Sequence, residues 1–341
     1  INIMVDSSEL GVVGAIEVFK HIFTFINIFL SLRKRAITER PDAVVLIDYP
    51  GFNIRFAKQM FLNNIPVIWY ISPQVWAWAK GRIKKLAKYC KKMLVIFPFE
   101  PEVYQGSGLD TEFVGHPLVD IIRELTDKSI QRDPKRILLL PGSRSDEIKR
   151  LLPPMLETVL LLNGKHPDLK YAISAPRPSI MRLTKKIISE FCESRKNVKL
   201  PDFDIDCGNT AKRLQSAGTG LASSGTVTVE CAIAGLPLVV IYKINPLSFF
   251  LGRFFIKLFR GFFTMVNIIA NKEVFAEFLQ DRVQPIILCA ELEKILPGGE
   301  RRAEVELDMQ KVVEMLSSGS EGASARAANA ILQTIEKSAK K

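Results

Sequence analysis

Ala222-Ser223-Ser224-Gly225-Thr226 runs into Val227-Thr228-Val229-Glu230-Cys231 and then into Gly235-Leu236-Pro237-Leu238-Val239-Val240. A small-residue turn opens a short helix, a carboxylate follows one turn in, and a Gly-x-Pro stop leads to a buried apolar strand. Backbone N–H groups at such a helix start have no intrahelical partner, and the helix dipole favours negative charge there. With the hydroxyls of Ser224 and Thr226 beside Gly225, this is the layout of a nucleotide-diphosphate pocket. Glu230, four residues after Thr226, shares its helical face and is placed to accept hydrogen bonds from a ribose diol. An ordinary turn and N-cap of an α/β protein has the same local spelling, so the remainder of the chain decides.

The 341 residues suffice for about two domains of ordinary size, each burying its own core. A content of 48% hydrophobic and 24% charged residues is globular and excludes disordered and collagenous classes. The net charge of +11 predicts an anionic partner: a nucleotide, a phosphorylated substrate or an anionic membrane surface. Nucleic acid is set aside, because none of its recognition motifs accompanies the charge. Cys90, Cys192, Cys207, Cys231 and Cys289 are scattered without a Cys-x-x-Cys pair or a His cluster, the pattern of a reduced, cytosolic, metal-free protein. The apolar run from His21 to Leu32 is too short for an ordinary membrane span.

Short apolar runs alternate with amphipathic stretches. Strands are expected at 44–49, 67–72, 93–97 and 112–115, with helices over 52–62 and 80–90 among them. A second series places strands at 137–141, 171–175, 198–200, 219–222 and 238–242, and helices over 146–162, 179–192, 210–215 and 226–234. The alternation predicts two doubly wound α/β halves facing across a cleft: residues 1–125, a linker at 126–135, residues 136–318, and an amphipathic helix within 319–341.

Two further segments carry chemistry. In Leu138-Leu139-Leu140-Pro141-Gly142-Ser143-Arg144, a buried strand delivers Ser143 and Arg144 to a sheet's carboxyl edge, where a planar guanidinium suits a diphosphate. In Leu46-Ile47-Asp48-Tyr49-Pro50-Gly51-Phe52-Asn53, Asp48 ends a strand ahead of a Pro-Gly turn. Partial desolvation there would suit it to general-base work on a hydroxyl; an Asx turn is the structural alternative.

These segments, together with Tyr70-Ile71-Ser72-Pro73-Gln74-Val75-Trp76-Ala77-Trp78, Phe97-Pro98-Phe99-Glu100, Phe113-Val114-Gly115-His116-Pro117 and Asn267-Ile268-Ile269-Ala270, resemble the lipid-A-disaccharide synthases. These are inverting glycosyltransferases of the two-Rossmann GT-B fold, and the resemblance covers about residues 5–285. It implies transfer of 2,3-diacylglucosamine from its UDP derivative to 2,3-diacylglucosamine 1-phosphate, giving a β-1,6-linked disaccharide 1-phosphate and UDP. Asp48 would be the base, Arg144 and the Ser224–Thr226 turn would stabilise the departing UDP, and Glu230 would hold the ribose. Asn267 is assigned to substrate binding, and His116, Ser72 and Asn53 are further candidates for the cleft. No cofactor or metal is called for. In the family a further strand and a Gly-Glu-x-Ser-Gly-Asp loop precede the stretch that matches the start of this sequence.

The lipid side calls for an apolar surface. Phe249 to Phe263 interleaves aromatics with Arg253, Lys257 and Arg260 and no acid, which suits an anionic leaflet, a partner subunit in a homodimer, or the core. The basic run Lys80 to Lys92 suits lipid phosphates or a solvated helix face. The resemblance implies a cytoplasmic enzyme, peripheral on the cytoplasmic face of the inner membrane. Alternatives are another UDP-N-acetylglucosamine transferase or an epimerase of the same architecture, and a non-catalytic, membrane-surface nucleotide-binding module.

Overall fold

Among the described residues four short parallel strands pair in chain order in the first part of the molecule, and six parallel strands pair out of order in the second. The computed structural model describes residue 3 and residues 22–78, 80–195, 199–243, 261–317 and 319–339. The chain divides into two compact units, Ile1–Val114 with Ser324–Lys341, and Gly115–Ala323. The division precedes the expected linker, and Asp133 already begins a strand.

In the first unit, α1 (Ile22–Glu39) precedes β1 (Val44–Ile47), α2 (Pro50–Leu62), β2 (Val67–Tyr70), α3 (Val75–Trp78), α4 (Ile83–Tyr89), β3 (Lys92–Val95), α5 (Glu100–Tyr104) and β4 (Asp110–Phe113). Pro50 opens α2, where its missing N–H costs nothing, and Asn64 in the left-handed region follows the helix end. Alternate strand residues point to opposite faces. Val67 and Trp69 therefore join Phe56, Met60, Leu86 and Met93 in one core cluster, while Ile68 and Leu94 point the other way.

The second unit starts with α6 (Pro117–Glu124), followed by β5 (Asp133–Leu140), α7 (Ser145–Lys165), β6 (Lys170–Ala175), α8 (Pro178–Ser194), β7 (Phe203–Cys207), α9 (Thr210–Ser216) and β8 (Ala217–Ser223). It continues through α10 (Val227–Ile233), β9 (Leu238–Tyr242), α11 (Met265–Ala270), β10 (Ala276–Leu279), α12 (Pro285–Ile295) and α13 (Arg302–Leu316). Its sheet runs β10-β9-β8-β5-β6-β7, the doubly wound order in which the chain reverses direction between β5 and β8. The last helix, α14 (Ala323–Ala339), returns to the first unit and packs Ala327 and Ala330 against Ile68, Leu94 and Val114. Among the described residues no helix is long and apolar enough to cross a membrane.

Two strand expectations need correction. Residues 199–200 form no strand, and β7 lies at Phe203–Cys207. As an edge strand it alternates, with Asp204 and Asp206 on one side bound by Arg213, instead of spelling an apolar run. β10, the opposite edge, is absent from the expected series altogether. Residues 249–260 of the Phe-rich stretch lie outside the described residues; Phe263 stacks on Tyr242 at 6.3 Å between ring centroids.

The closest backbone approach in the sheet falls at Gly218, opposite the irregularity between Asp133 and Ile137, where a Cβ would stand 2.5 Å from the Pro134 carbonyl oxygen. Gly218→Ala should destabilise the second unit by about 2 kcal/mol through overpacking. Urea denaturation followed by hydrogen exchange in β5 and β8 measures it; an unchanged midpoint would contradict the packing described.

Candidate functional site

The loops that leave β5 and β8 meet over the point where the strand order reverses. Gly142, Ser143, Arg144 and Glu147 from the first loop and helix face Ser223, Ser224, Gly225, Thr226, Val227 and Glu230 from the second, with Ser174 and Thr210 completing the wall of a pocket of about 340 Å³. Open α/β sheets bind ligands at this place because the two loops must part in opposite directions. Ser143, Arg144, Ser224, Gly225, Thr226 and Glu230 are thus brought together on one wall.

Local geometry explains the arrangement. Gly142 has φ +115°, a conformation that disfavours a side chain, and a Cβ there would fall 2.7 Å from Glu147 Oε2. The turn closes over the Glu147 carboxylate, whose Oε1 accepts from Arg144 Nη1 at 3.3 Å. Arg144 is 65% exposed and Glu147 only 15%, so the guanidinium is the accessible member of the pair. In the facing loop, the Thr228 N–H and hydroxyl both donate to the Gly225 carbonyl, at 3.1 and 2.8 Å. That bond fixes the turn and sets the N–H groups of Gly225, Thr226 and Val227 ahead of the first helical bonds. Glu230 is half-buried, and burial raises its pKa.

Glu147, Ser174 and Thr210 escaped the sequence reading. Ser174 Oγ and Thr210 Oγ1 are 2.9 Å apart, but their partnership depends on β6 and α9 coming together across 36 residues, which no local pattern announces.

Asn267 is a correction. It is 0% exposed; its Oδ1 accepts from Val274 N and Phe275 N at 2.9 Å each, and its Nδ2 donates to the Phe275 carbonyl at 2.8 Å. The amide braces the turn after α11 and lies outside the pocket's wall.

In the first unit the carboxyl edge is strained. Asp48, Tyr49 and Ile71 have φ of 44°, 43° and 65°, and such values in non-glycine residues cost about 1–3 kcal/mol each and concentrate at functional sites. Asn53, buried, donates to the carbonyls of Ile47 and Asp48 at 3.1 and 2.7 Å and so braces the turn that carries Asp48. The Asp48 side chain is exposed, and the desolvation expected for it is not seen. Ser72 is buried, with its Oγ 2.8 Å from the Tyr104 hydroxyl.

His116 is buried at the N-cap of α6, where Nδ1 accepts the Leu118 N–H at 3.2 Å. Burial lowers its pKa to about 4, so the ring is neutral at pH 7. Among the described residues no cluster of three or more His, Cys, Asp or Glu side chains is placed to hold a metal ion.

Two parallel-sheet α/β units, one with a crevice at its switch point, define a protein of the GT-B class, and solved structures share that fold. UDP-GlcNAc 2-epimerase from Neisseria meningitidis bound to UDP-GlcNAc aligns with a TM-score of 0.59 at 12% identity, covering 91% of this chain and 81% of that one. The S. aureus MnaA–UDP co-structure aligns at 0.58 and 13% identity, covering 90% and 80%. Sequence goes further: residues 1–332 match the family described as lipid-A-disaccharide synthetase, and the chain belongs to that family. The lipid-A-disaccharide synthases of Koribacter versatilis (strain Ellin345) and Geobacter sulfurreducens are each 34% identical to it, covering 98% and 99% of this chain and 87% and 86% of those proteins. The chain is therefore a glycosyltransferase of the hexosyltransferase kind.

Two predictions follow from the buried polar residues. Asn267→Ala removes the side-chain partners of the Phe275 N–H and carbonyl, while Val274 N–H keeps the Lys272 carbonyl at 3.0 Å; at about 1–3 kcal/mol per unpaired group it should lower stability while the folded fraction binds UDP as before. Calorimetric titration with UDP checks this; lost affinity with unchanged stability would return Asn267 to the substrate. For His116 the unfolded ring, with its pKa of 6.5, takes up protons before the native ring does. Its contribution is therefore complete above pH 6.5 and is lost as pH falls toward 4, by about 3 kcal/mol. The difference between wild type and His116→Gln in denaturation midpoints across that range should show this slope.

Proposed function

We propose that this enzyme transfers 2,3-diacylglucosamine from its UDP derivative to 2,3-diacylglucosamine 1-phosphate, releasing UDP and forming a β-1,6-linked disaccharide 1-phosphate. The observation that carries the reading is the convergence of Arg144 and the Ser224-Gly225-Thr226 turn on one crevice at the β5/β8 switch point, in a chain of this family. The second unit would hold the donor and the first the acceptor.

In a single inverting displacement the acceptor's primary hydroxyl attacks the anomeric carbon as the bond to the UDP oxygen breaks. Asp48, exposed on its braced and strained turn, takes the hydroxyl proton. Negative charge grows on the departing diphosphate, where the Arg144 guanidinium and the turn's N–H groups oppose it without needing to reorganise. Arg144 would exchange Glu147 for phosphate in doing so. Glu230, on the pocket wall one turn beyond Thr226, is positioned for a ribose diol.

We place the reaction at an anionic surface, on the cytoplasmic face of the inner membrane. Lys84, Lys85, Lys88 and Lys91 are charges of one sign in and beside α4, and the run from Lys80 to Lys92 contains no acid. A lipid-linked sugar phosphate delivered from an anionic leaflet suits such a face.

Measured as UDP release from UDP-2,3-diacylglucosamine with the monosaccharide phosphate acceptor, Asp48→Asn should lose about 10²–10⁴-fold in kcat with UDP affinity intact. Arg144→Ala should lose about 10²–10³-fold and bind UDP more weakly. Wild-type UDP binding with no transfer, or Asp48→Asn at full rate, would overturn the proposal.

A further inference from the structure

Glu100 opens α5 directly behind the loop that follows β3, and it is 0% exposed. Its Oε1 accepts from the Trp76 indole N–H at 3.2 Å, and its Oε2 accepts from the backbone N–H groups of Ile96 and Phe97 at 3.2 and 3.1 Å. Trp76 belongs to α3, at the end of the loop after β2, so one carboxylate ties together two adjacent loops at the sheet's carboxyl edge. Aromatic side chains complete the assembly: Phe99 meets Trp76 edge-on at 5.2 Å and stacks on Phe97 at 5.7 Å. The reaction as described above leaves this group without a role.

We propose that Glu100 is a positioning residue for the acceptor edge of the first unit, its anionic form holding the loops after β2 and β3, with Trp76, Phe97 and Phe99, in the arrangement that receives the acceptor. The inference rests on the reading of this unit as the acceptor side. The indole and both backbone partners are N–H donors, which an ionised carboxylate accepts more strongly than a protonated one, while an amide presents a single oxygen and forfeits at least one of them. The anion is thus the form the cradle fits. Burial opposes it and pushes the Glu100 pKa up to about 7, above what the hydrogen bonds can offset.

Few other groups can confuse that titration. Tyr104, from α5, is a titratable neighbour of Glu100, and Cys90, beyond α4, acts on Tyr104 in turn. Burial raises both, the Cys90 thiol to about 12, so both stay neutral across the range in which Glu100 ionises. The Ser72 hydroxyl, bonded to Tyr104, also faces the carboxylate and does not titrate.

The sign of the effect is fixed. As pH falls through about 7, Glu100 takes a proton, its hold on the two loops weakens, and the acceptor KM rises; burial also raises Glu230 and Glu277 in the second unit, so the part of the profile owed to Glu100 is the part that Glu100→Gln removes. Glu100→Gln should behave at every pH like the protonated enzyme. Its acceptor KM should rise about tenfold, the equivalent of one such hydrogen bond, with kcat changed less than about threefold and UDP affinity unchanged. Trp76→Phe removes only the indole donor; since a bond to the charged form lowers a pKa, the midpoint of its KM–pH profile should move upward.

Indole fluorescence supplies a readout independent of turnover. The wild-type signal between pH 5.5 and 8.5 should show a midpoint near 7 that both Glu100→Gln and Trp76→Phe abolish. A flat wild-type titration, or a Glu100→Gln enzyme with wild-type acceptor KM and pH profile, would overturn the proposal. If Glu100→Gln does not fold, the wild-type titration and the direction of the Trp76→Phe midpoint decide it. Failure of the intact enzyme to transfer sugar would instead sink the functional reading and leave the fluorescence titration standing.

Discussion

A parallel strand can rejoin its sheet only through a crossover, and crossovers of one hand that proceed in opposite directions must lie on opposite faces. From β5 the chain moves outward through β6 to β7; it then returns to pair β8 on the other side of β5 and moves outward again through β9 to β10. The helices obey the constraint: α7 packs with α8 and α12, whereas α10 packs with α11 and α13. The loops above β5 and β8 therefore diverge, and the pocket between them is a consequence of strand order before any side chain is chosen. What sequence adds is the filling: Gly142 so that the first loop can fold over Glu147, small residues at 223–226 so that backbone faces the crevice, and Arg144 as the accessible cation.

Among the described residues the first unit has its strands in simple chain order, without such a reversal. Its carboxyl edge is shaped by strain. Three non-glycine residues in the left-handed region, among them the β-branched Ile71, are held there by compensating bonds. Asn53 grips the carbonyls on either side of the Ile47–Asp48 link, the Ile71 N–H reaches the Leu94 carbonyl at 3.0 Å, and the Trp69 indole donates to the Ile71 carbonyl at 3.1 Å. Conformations this costly persist only where the surroundings over-determine them. The buried polar residues near this edge, Asn53, Ser72 and Glu100, are thus understood as its supports.

Much of this was legible in the sequence because apolar runs and turn chemistry are local. The central strands announced themselves as unbroken Val-Ile-Leu segments, and the Pro-Gly-Ser-Arg and Ser-Ser-Gly-Thr turns marked the two loops that line the crevice. The edge strands did not: β7 alternates Phe203, Ile205 and Cys207 with two aspartates, and β10 spells only Ala-Glu-Phe-Leu. Asn267 shows a second limit. Its string resembled a family position near the cleft, yet what the amide does depends on where residues 274 and 275 return, and sequence does not print that. Pairings such as Ser174 with Thr210, or Glu100 with Trp76, are invisible for the same reason.

The assignment of the base follows from reach rather than from basicity. Among the described residues Asp48 and Glu100 both stand at the carboxyl edge of the first sheet, and burial lifts Glu100 to about 7, the value often sought in a general base. Yet both Glu100 oxygens already accept hydrogen bonds, and the side chain is closed to solvent, so no substrate hydroxyl can approach it. Asp48 is open at the end of β1, on backbone that Asn53 prevents from relaxing. A perturbed pKa marks a group whose environment is unusual, and only accessibility says whether that environment serves chemistry or architecture. At this edge the perturbed carboxylate is closed off, and the carboxylate proposed as base, Asp48, is the one with room for a substrate.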